Sequence, residues 1–452
     1  MCTVARAMIP RLRAWVSNPL LVLAVVCVLS LDARTALIGQ PCQSPCTTAS
    51  DHTLIFDEAY YVNAARVIAG IHPTSGSHYA DAPLGTDPNA EHPQLAKLIM
   101  AGSIELFGDG PLAWRIGSLV MGTIAVLGMY ALVRAAGGGR WTAVGASALM
   151  ASDNLLLVHG RIGTLDIYAV AAMIWCVTLY LRGRPVLAGL ALAVAAAFKL
   201  VAPYVLVALV LLELGRILVG RHDPDSPQDR RPLAALRRLL ICGFTGAGVF
   251  MGLLAVMGQI ATPYNDAGTQ LITGGPFDHF AHMVSYASGL VSPHGPQGIA
   301  SYPWDWLADT KVINYLRVNP SLPGDSLNAI HPVSKFLGMV SPPILALGVL
   351  AVPLAAVRAV RVPRRGDADL ALVGLAWFLG TWLPFVVLSL LDQRTSYLYY
   401  MVVVMPGLYI TASWLASRIW QLDRRWSRPL LGIWTAAVLA AAVLMYPFTP
   451  VF

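Results

Sequence analysis

Long apolar runs separated by short polar ones dominate this chain. About eleven runs are apolar enough, near the ~20 residues a bilayer-crossing helix needs, to predict transmembrane helices. They lie at roughly 19–38, 112–134, 141–158, 164–182, 185–199, 200–219, 239–259, 337–357, 369–391, 397–417 and 429–447. The fifth and sixth run together around Lys199, so their division is open. Two long segments lack such runs, about 39–111 and 260–336, and both are rich in aromatics, histidines, prolines and acids. The pattern predicts an all-α polytopic membrane protein: a single transmembrane domain over 1–452 with two long loops on one face.

Arginine clusters set the orientation. With the N-terminus and its Arg6, Arg11 and Arg13 in the cytoplasm, every dense basic group falls inside: Arg134 and Arg140, Arg182 and Arg184, Arg221 to Arg238, Arg358 to Arg365, and Arg418 to Arg428. A miscount by one span would put several clusters outside, against the positive-inside bias. The two long loops are then extracytoplasmic, and the compartment is a plasma membrane. The N-terminal run also fits a signal peptide, but no convincing small-residue cleavage site follows it.

Composition agrees: 56% of the 452 residues are hydrophobic and 12% charged, against about 25% charged in soluble domains. The net charge of +7 sits in loop clusters and does not imply nucleic-acid binding. Abundant arginine, alanine and glycine suggest a GC-rich bacterial genome. Cys42 and Cys46 fall in the first external loop; a disulfide and two free thiols are both open.

The polar chemistry is concentrated in the external segments, unlike a transporter, whose polar groups sit at the bilayer midplane. Asp57-Glu58 precede Tyr60, Ala64, Val67, Ile68 and Ile71, which recur at helical spacing. An amphipathic helix on the membrane surface results, with Asp57 in its first turn. One acid there is explained by the positive helix end; a pair points to chemistry. Glu91-His92-Pro93-Gln94-Leu95-Ala96-Lys97 follows, placing Lys97 one turn into a helix. It either serves the site or snorkels to headgroups. Asp153, His159, Arg161 and Asp166 border the third and fourth spans. They are functional candidates by default, or Arg161 and Asp166 form a structural pair. Lys199 interrupts an apolar stretch and needs an anion. Arg394 is a second cation at the outer face, suited to phosphate. Trp304 and Trp306 lie in Ser-Tyr-Pro-Trp-Asp-Trp, tighter than an interfacial belt requires. His279, His282 and His294 have no metal-site spacing, so no metal is expected.

In these residues the chain resembles the protein O-mannosyltransferases and their relatives in glycosyltransferase family 39, which share the GT-C membrane fold. The family's Asp-Glu pair is similar to Asp57-Glu58, and its His-Pro-Pro-Leu-Gly-Lys motif to His92–Lys97. Its Asp, Arg, Asp series resembles Asp153, Arg161 and Asp166, and its Gly/Ala-span lysine Lys199. Its Ser-x-Pro-Trp-x-Trp motif with a later Tyr is similar to Ser301–Trp306 and Tyr315, and its Arg-x-x-Phe-x-Tyr-Tyr pattern to Arg394–Tyr400. Gln94 and Ala96 depart from the usual Pro and Gly, which puts sugar and acceptor in question.

The resemblance implies a lipid-phosphate-sugar-dependent enzyme, with a polyprenyl-phosphate sugar, often mannose, as donor. The acceptor would be a secreted protein, or alternatively a lipid or cell-envelope glycan. It implies inverting transfer with Asp57 or Glu58 as base and Lys199, Arg394 and Arg161 at the donor phosphate. Glu91, His92, Lys97, Asp153, Asp166, Trp304 and Trp306 would bind substrate or shape the site. No cofactor is implied, since the lipid-linked sugar is a substrate. A non-enzymatic transporter of polyprenyl-linked sugars is the remaining alternative.

Overall fold

The structure, a computed structural model, describes residues 17–220, 232–318, 334–361 and 367–450. Arg6, Arg11, Arg13, Arg221, Arg230, Arg231, Arg364 and Arg365 of the basic clusters lie outside the described residues.

Helices occur at each apolar run: α1 (Pro19–Thr35), α4 (Pro111–Ala135), α5 (Arg140–Ser152) continued by the short α6 (Asn154–His159), α7 (Asp166–Leu181), α8 (Pro185–Phe198), α9 (Tyr204–Gly220), α10 (Pro232–Ile260), α12 (Pro342–Arg361), α13 (Asp367–Leu391), α14 (Met401–Gln421) and α15 (Ser427–Leu444). The two long segments between the spans add α2 (Glu58–Ile68), α3 (Leu95–Phe107) and α11 (Pro276–Gly289). By length and composition, six of the described helices are long and apolar enough to cross a membrane, and α7 and α8 are shorter apolar helices. The protein is a multi-pass membrane protein.

Local signals fix the boundaries. Proline opens α1, α4, α8 and α11 at the first turn, where its missing N–H removes nothing. Asp153 breaks the third expected span: its Oδ1 accepts the Leu155 N–H at 2.8 Å and starts α6. The chain leaves α8 at Lys199, in extended conformation, which settles the fifth–sixth division. The eighth run begins at Pro342 rather than 337, because Lys335–Gly338 form strand β5, antiparallel to β4 (Ile313–Arg317).

Helix α7 is apolar all round and mostly buried, and α14 is buried from Met401 through Trp414, as an apolar helix surface requires. They are the centre of the bundle. α7 contacts α4, α8 and α14; α14 contacts α13, α12 and α5.

The two long segments between the spans close over one end of this bundle as a single cover. β1 (Thr86–Asp87) of the first loop pairs in parallel with β2 (Thr262–Asn265) of the second, and β2 pairs with β3 (Gln270–Leu271). His279 on α11 is hydrogen-bonded through Nε2 to the Ala90 carbonyl at 3.0 Å. The second loop is in turn tied to the segment before α14: Ser301 N–H donates to Ser396 O at 2.9 Å, and Thr395 N–H to Leu290 O at 2.8 Å. Cys42 and Cys46 are joined in a disulfide.

Candidate active site

The two neighbouring acids have different surroundings. Glu58 is fully buried, and its carboxylate is saturated. It takes Arg115 Nε at 2.8 Å and Arg115 Nη2 at 2.7 Å. It also accepts the backbone N–H groups of Ile55 at 2.8 Å and Gly163 at 2.7 Å. Gly163 can approach because a Cβ there would lie 3.0 Å from the Trp114 carbonyl and 3.5 Å from Glu58 Oε1. Glu58 therefore locks the start of α2 to α4 and to the turn before α7.

Asp57 sits at the N-cap position of α2 but makes no side-chain cap bond. The preceding Phe56 has φ of 54°, a left-handed backbone uncommon for a bulky residue. Its ring stacks on Tyr315, centroids 4.0 Å apart. The Asp57 carboxylate is thus presented by a fixed turn without being used by it. Burial pushes its pKa up to about 7; Lys199 opposes the rise and Asp166 adds to it. A raised carboxylate pKa in such a setting marks a candidate base.

Lys199 and Asp166 form the second half. Lys199 Nζ lies 2.6 Å from Asp166 Oδ1, and 5.2 and 5.6 Å from the ring centroids of Tyr399 and Tyr400. Asp166 Oδ2 is 3.7 Å from His159 Nδ1, and His159 Nε2 is hydrogen-bonded to Tyr315 Oη at 2.9 Å. The Asp166–Arg161 pairing raised by the sequence is not formed, because Asp166 is taken by Lys199. His92 belongs to the same group: its ring faces Tyr61 at 5.8 Å and Tyr286 at 6.2 Å. Burial, then the charges of Lys199 and Lys97, hold His92 well below its ordinary pKa and so neutral.

Arg394 shortly precedes the tyrosine run, Tyr397–Tyr400, in the chain. Its Nη1 donates to the Ala287 carbonyl. Its charge opposes the upward push of burial on the Tyr397 phenol. Lys199 lies against Tyr399 and Tyr400 of that run.

The remaining sequence candidates are arranged around this centre. Lys97 does not snorkel: it is fully buried and pairs with Asp87 Oδ2 at 2.6 Å, while donating to the Asn89 and His92 carbonyls. It clamps the loop that carries His92. Glu91 accepts from Asn89 Nδ2 at 3.1 Å, and burial raises its pKa. Gln94, where the resemblance expects proline, donates to the Ala261 carbonyl at the end of α10. Asp153 is occupied with capping α6 and accepting Tyr409 Oη–H at 2.8 Å. Trp306 is buried against Tyr400 and Phe385, with its Nε1–H on Ser301 Oγ at 2.9 Å. Trp304 is 40% exposed and stacks on Tyr302. Arg161 is placed elsewhere: Nη2 donates to the carbonyls of Ala36 and Leu37 at 2.9 and 3.1 Å, and the guanidinium lies over Phe448. It braces the end of α1. Arg115 and Asp87, which hold Glu58 and Lys97, were missed in the sequence. Arg115 carried a signal, since an arginine inside a predicted span demands a partner.

Residues 91–236 match the family model described as dolichyl-phosphate-mannose-protein mannosyltransferase. A polyprenol-phosphate-mannose–protein mannosyltransferase of Corynebacterium glutamicum is 33% identical over 149 residues, which are 32% of this chain and 27% of that protein. The chain thus matches well under half the length of that curated relative. Among solved structures, the Saccharomyces cerevisiae protein O-mannosyltransferase Pmt1–Pmt2 complex bound to the sugar donor superposes with a TM-score of 0.70 at 12% identity, over 96% of this chain and 90% of that one. An Archaeoglobus fulgidus oligosaccharyltransferase gives 0.55 at 13% identity, over 97% and 57%. ArnT from Cupriavidus metallidurans bound to undecaprenyl phosphate gives 0.50 at 19% identity, over 96% and 64%. The chain has the GT-C fold of these membrane glycosyltransferases, and the resemblance to the protein O-mannosyltransferases is borne out. The matched sequence includes His92, Lys97, Asp166 and Lys199; Asp57 and Arg394 lie outside it.

Proposed function

We propose that this protein is a membrane glycosyltransferase that moves mannose from a polyprenyl-phosphate carrier to a Ser or Thr hydroxyl of a secreted protein. The reaction takes place on the extracytoplasmic face of the plasma membrane, with the N-terminus in the cytoplasm. The observation that carries the reading is the facing of an unengaged carboxylate, Asp57, with the Lys199–Asp166 pair at the mouth of the bundle.

The step is an inverting displacement. Asp57 takes the proton of the acceptor hydroxyl, whose oxygen bonds to the anomeric carbon. The bond from that carbon to the phosphate oxygen breaks, and its electron pair stays on the phosphate. The leaving group is a stable anion, so it needs positive charge more than a proton. Lys199 and Arg394 supply that charge. Glu58 holds Asp57's turn, and neutral His92 and the tyrosine run line the sugar's path. No cofactor enters the scheme.

The test incubates purified protein with polyprenyl-phosphate mannose, a Ser/Thr-rich secreted peptide and an envelope glycolipid fraction, with mass spectrometry of all products. A hexose on the peptide is expected. A hexose on the glycolipid alone moves the acceptor to lipid or glycan, and no hexose on either overturns the proposal.

A further inference from the structure

At the basic end of the bundle, away from Asp57, α5, α14 and α15 diverge. They enclose a cavity of about 1120 Å³ whose walls include Gly145, Ala148, Leu431, Gly432 and Leu439. The gap has a sequence cause. α5 and α15 present glycine and alanine to each other where larger residues would fill the space, and α15 buries little of its surface. The mouth is different in kind. Arg140 is the first residue of α5, and Arg428 lies in the first turn of α15. Both line the cavity together with Trp141 and Trp420, which are 50% and 56% exposed.

The depth is informative. From Arg140 to Ser152 is about 18 Å of helix, and from Arg428 to Leu439 about 16 Å, at ~1.5 Å per residue. Half of a bilayer's hydrocarbon core is about 15 Å. The groove is therefore one leaflet deep, with arginines at headgroup level, tryptophans at the interface and apolar walls below.

We propose that this groove holds one diacyl phospholipid with an anionic headgroup, its phosphate between Arg140 and Arg428 and its acyl chains along Gly145 and Gly432. Guanidinium groups suit phosphate oxygens. Arg428 also touches Asp423 at 3.1 Å, but both side chains are exposed, and such a pair contributes little. A second copy of this face fits poorly, because it would bring its own Arg424, Arg425 and Arg428 against the same cations.

The test is native mass spectrometry of the detergent-purified full chain, titrated separately with phosphatidylglycerol, phosphatidylcholine and undecaprenyl phosphate. One phosphatidylglycerol per chain is expected, with phosphatidylcholine at least tenfold weaker. R140Q/R428Q, at exposed positions, should weaken phosphatidylglycerol roughly 30-fold, a factor of about five for each arginine. G432W should do the same by filling the groove. A Cβ at Gly432 meets no atom within 4 Å, and tryptophan is a better helix former than glycine, so its melting temperature should hold. The proposal is overturned by equal binding of phosphatidylcholine, by unchanged binding in both variants, by tighter undecaprenyl phosphate at this groove, or by a disulfide between two chains through T435C.

Discussion

Asp57→Asn and Glu58→Gln should fail in opposite ways. Asp57 makes no cap bond, so amidation removes a base and little else. A general base contributes roughly 10²–10⁴-fold, or about 3–5 kcal/mol of barrier at ~1.36 kcal/mol per decade. Because burial raises the Asp57 pKa, the folded state carries that charge at a cost, and the asparagine variant should melt no lower than the parent. Glu58 is a buried partner of Arg115 and accepts two backbone N–H groups. An amide cannot satisfy all four donors, and breaking one side of a buried pair costs about 3–5 kcal/mol. Glu58→Gln should therefore melt markedly lower, and lose activity in proportion to unfolded protein. The assay pairs single-turnover mannose transfer with thermal melts in the same detergent. An Asp57→Asn enzyme within tenfold of the parent refutes the assignment. A Glu58→Gln protein that is stable yet inactive transfers the base to Glu58.

The acid limb of kcat/KM should fall near pH 7, since Asp57 must be ionised and its pKa is pushed up to about 7; a rate flat from pH 5 to 8 contradicts this. Lys199→Met should weaken donor binding and move that limb to higher pH, because Lys199 opposes the rise in the Asp57 pKa; donor titrations and a pH profile check both. Lys97→Met strands the buried Asp87 and should cost about 3–5 kcal/mol of stability, read as a lower melting temperature. Ser77→Cys should react with an impermeant maleimide on intact cells, and reaction only after lysis would invert the topology.

The membrane architecture was legible because most of the apolar runs are long and are separated by basic clusters, although the run around Lys199 could not be divided. What the sequence could not resolve is which charge meets which. Asp57 and Glu58 are equivalent on paper, and only the approach of Arg115 and Gly163 separates them. Lys97 read equally well as a headgroup anchor until Asp87 arrived beside it. Arg161 and Asp166 are five residues apart and invite pairing, yet the turn between α6 and α7 sends one to α1 and the other to Lys199. The aromatic motif divides similarly: Trp306 turns into the core, bonded to Ser301, and Trp304 turns out. Short-range pattern sets the helices, while the site is assembled by contacts between loops far apart in the chain.

The Lys199–Asp166 contact bears on how the reaction ends. An ammonium free to close on a phosphate without competition would also hold the spent carrier, whose phosphate gains charge once the sugar departs. Here the same ammonium already has a carboxylate at 2.6 Å. If Lys199 serves the donor phosphate as proposed, arriving donor would share it with Asp166, and departing carrier would leave it to a partner that has not moved away. Under the proposed mechanism the pair would limit affinity at both ends of the cycle, trading tight capture of the donor for timely surrender of the product.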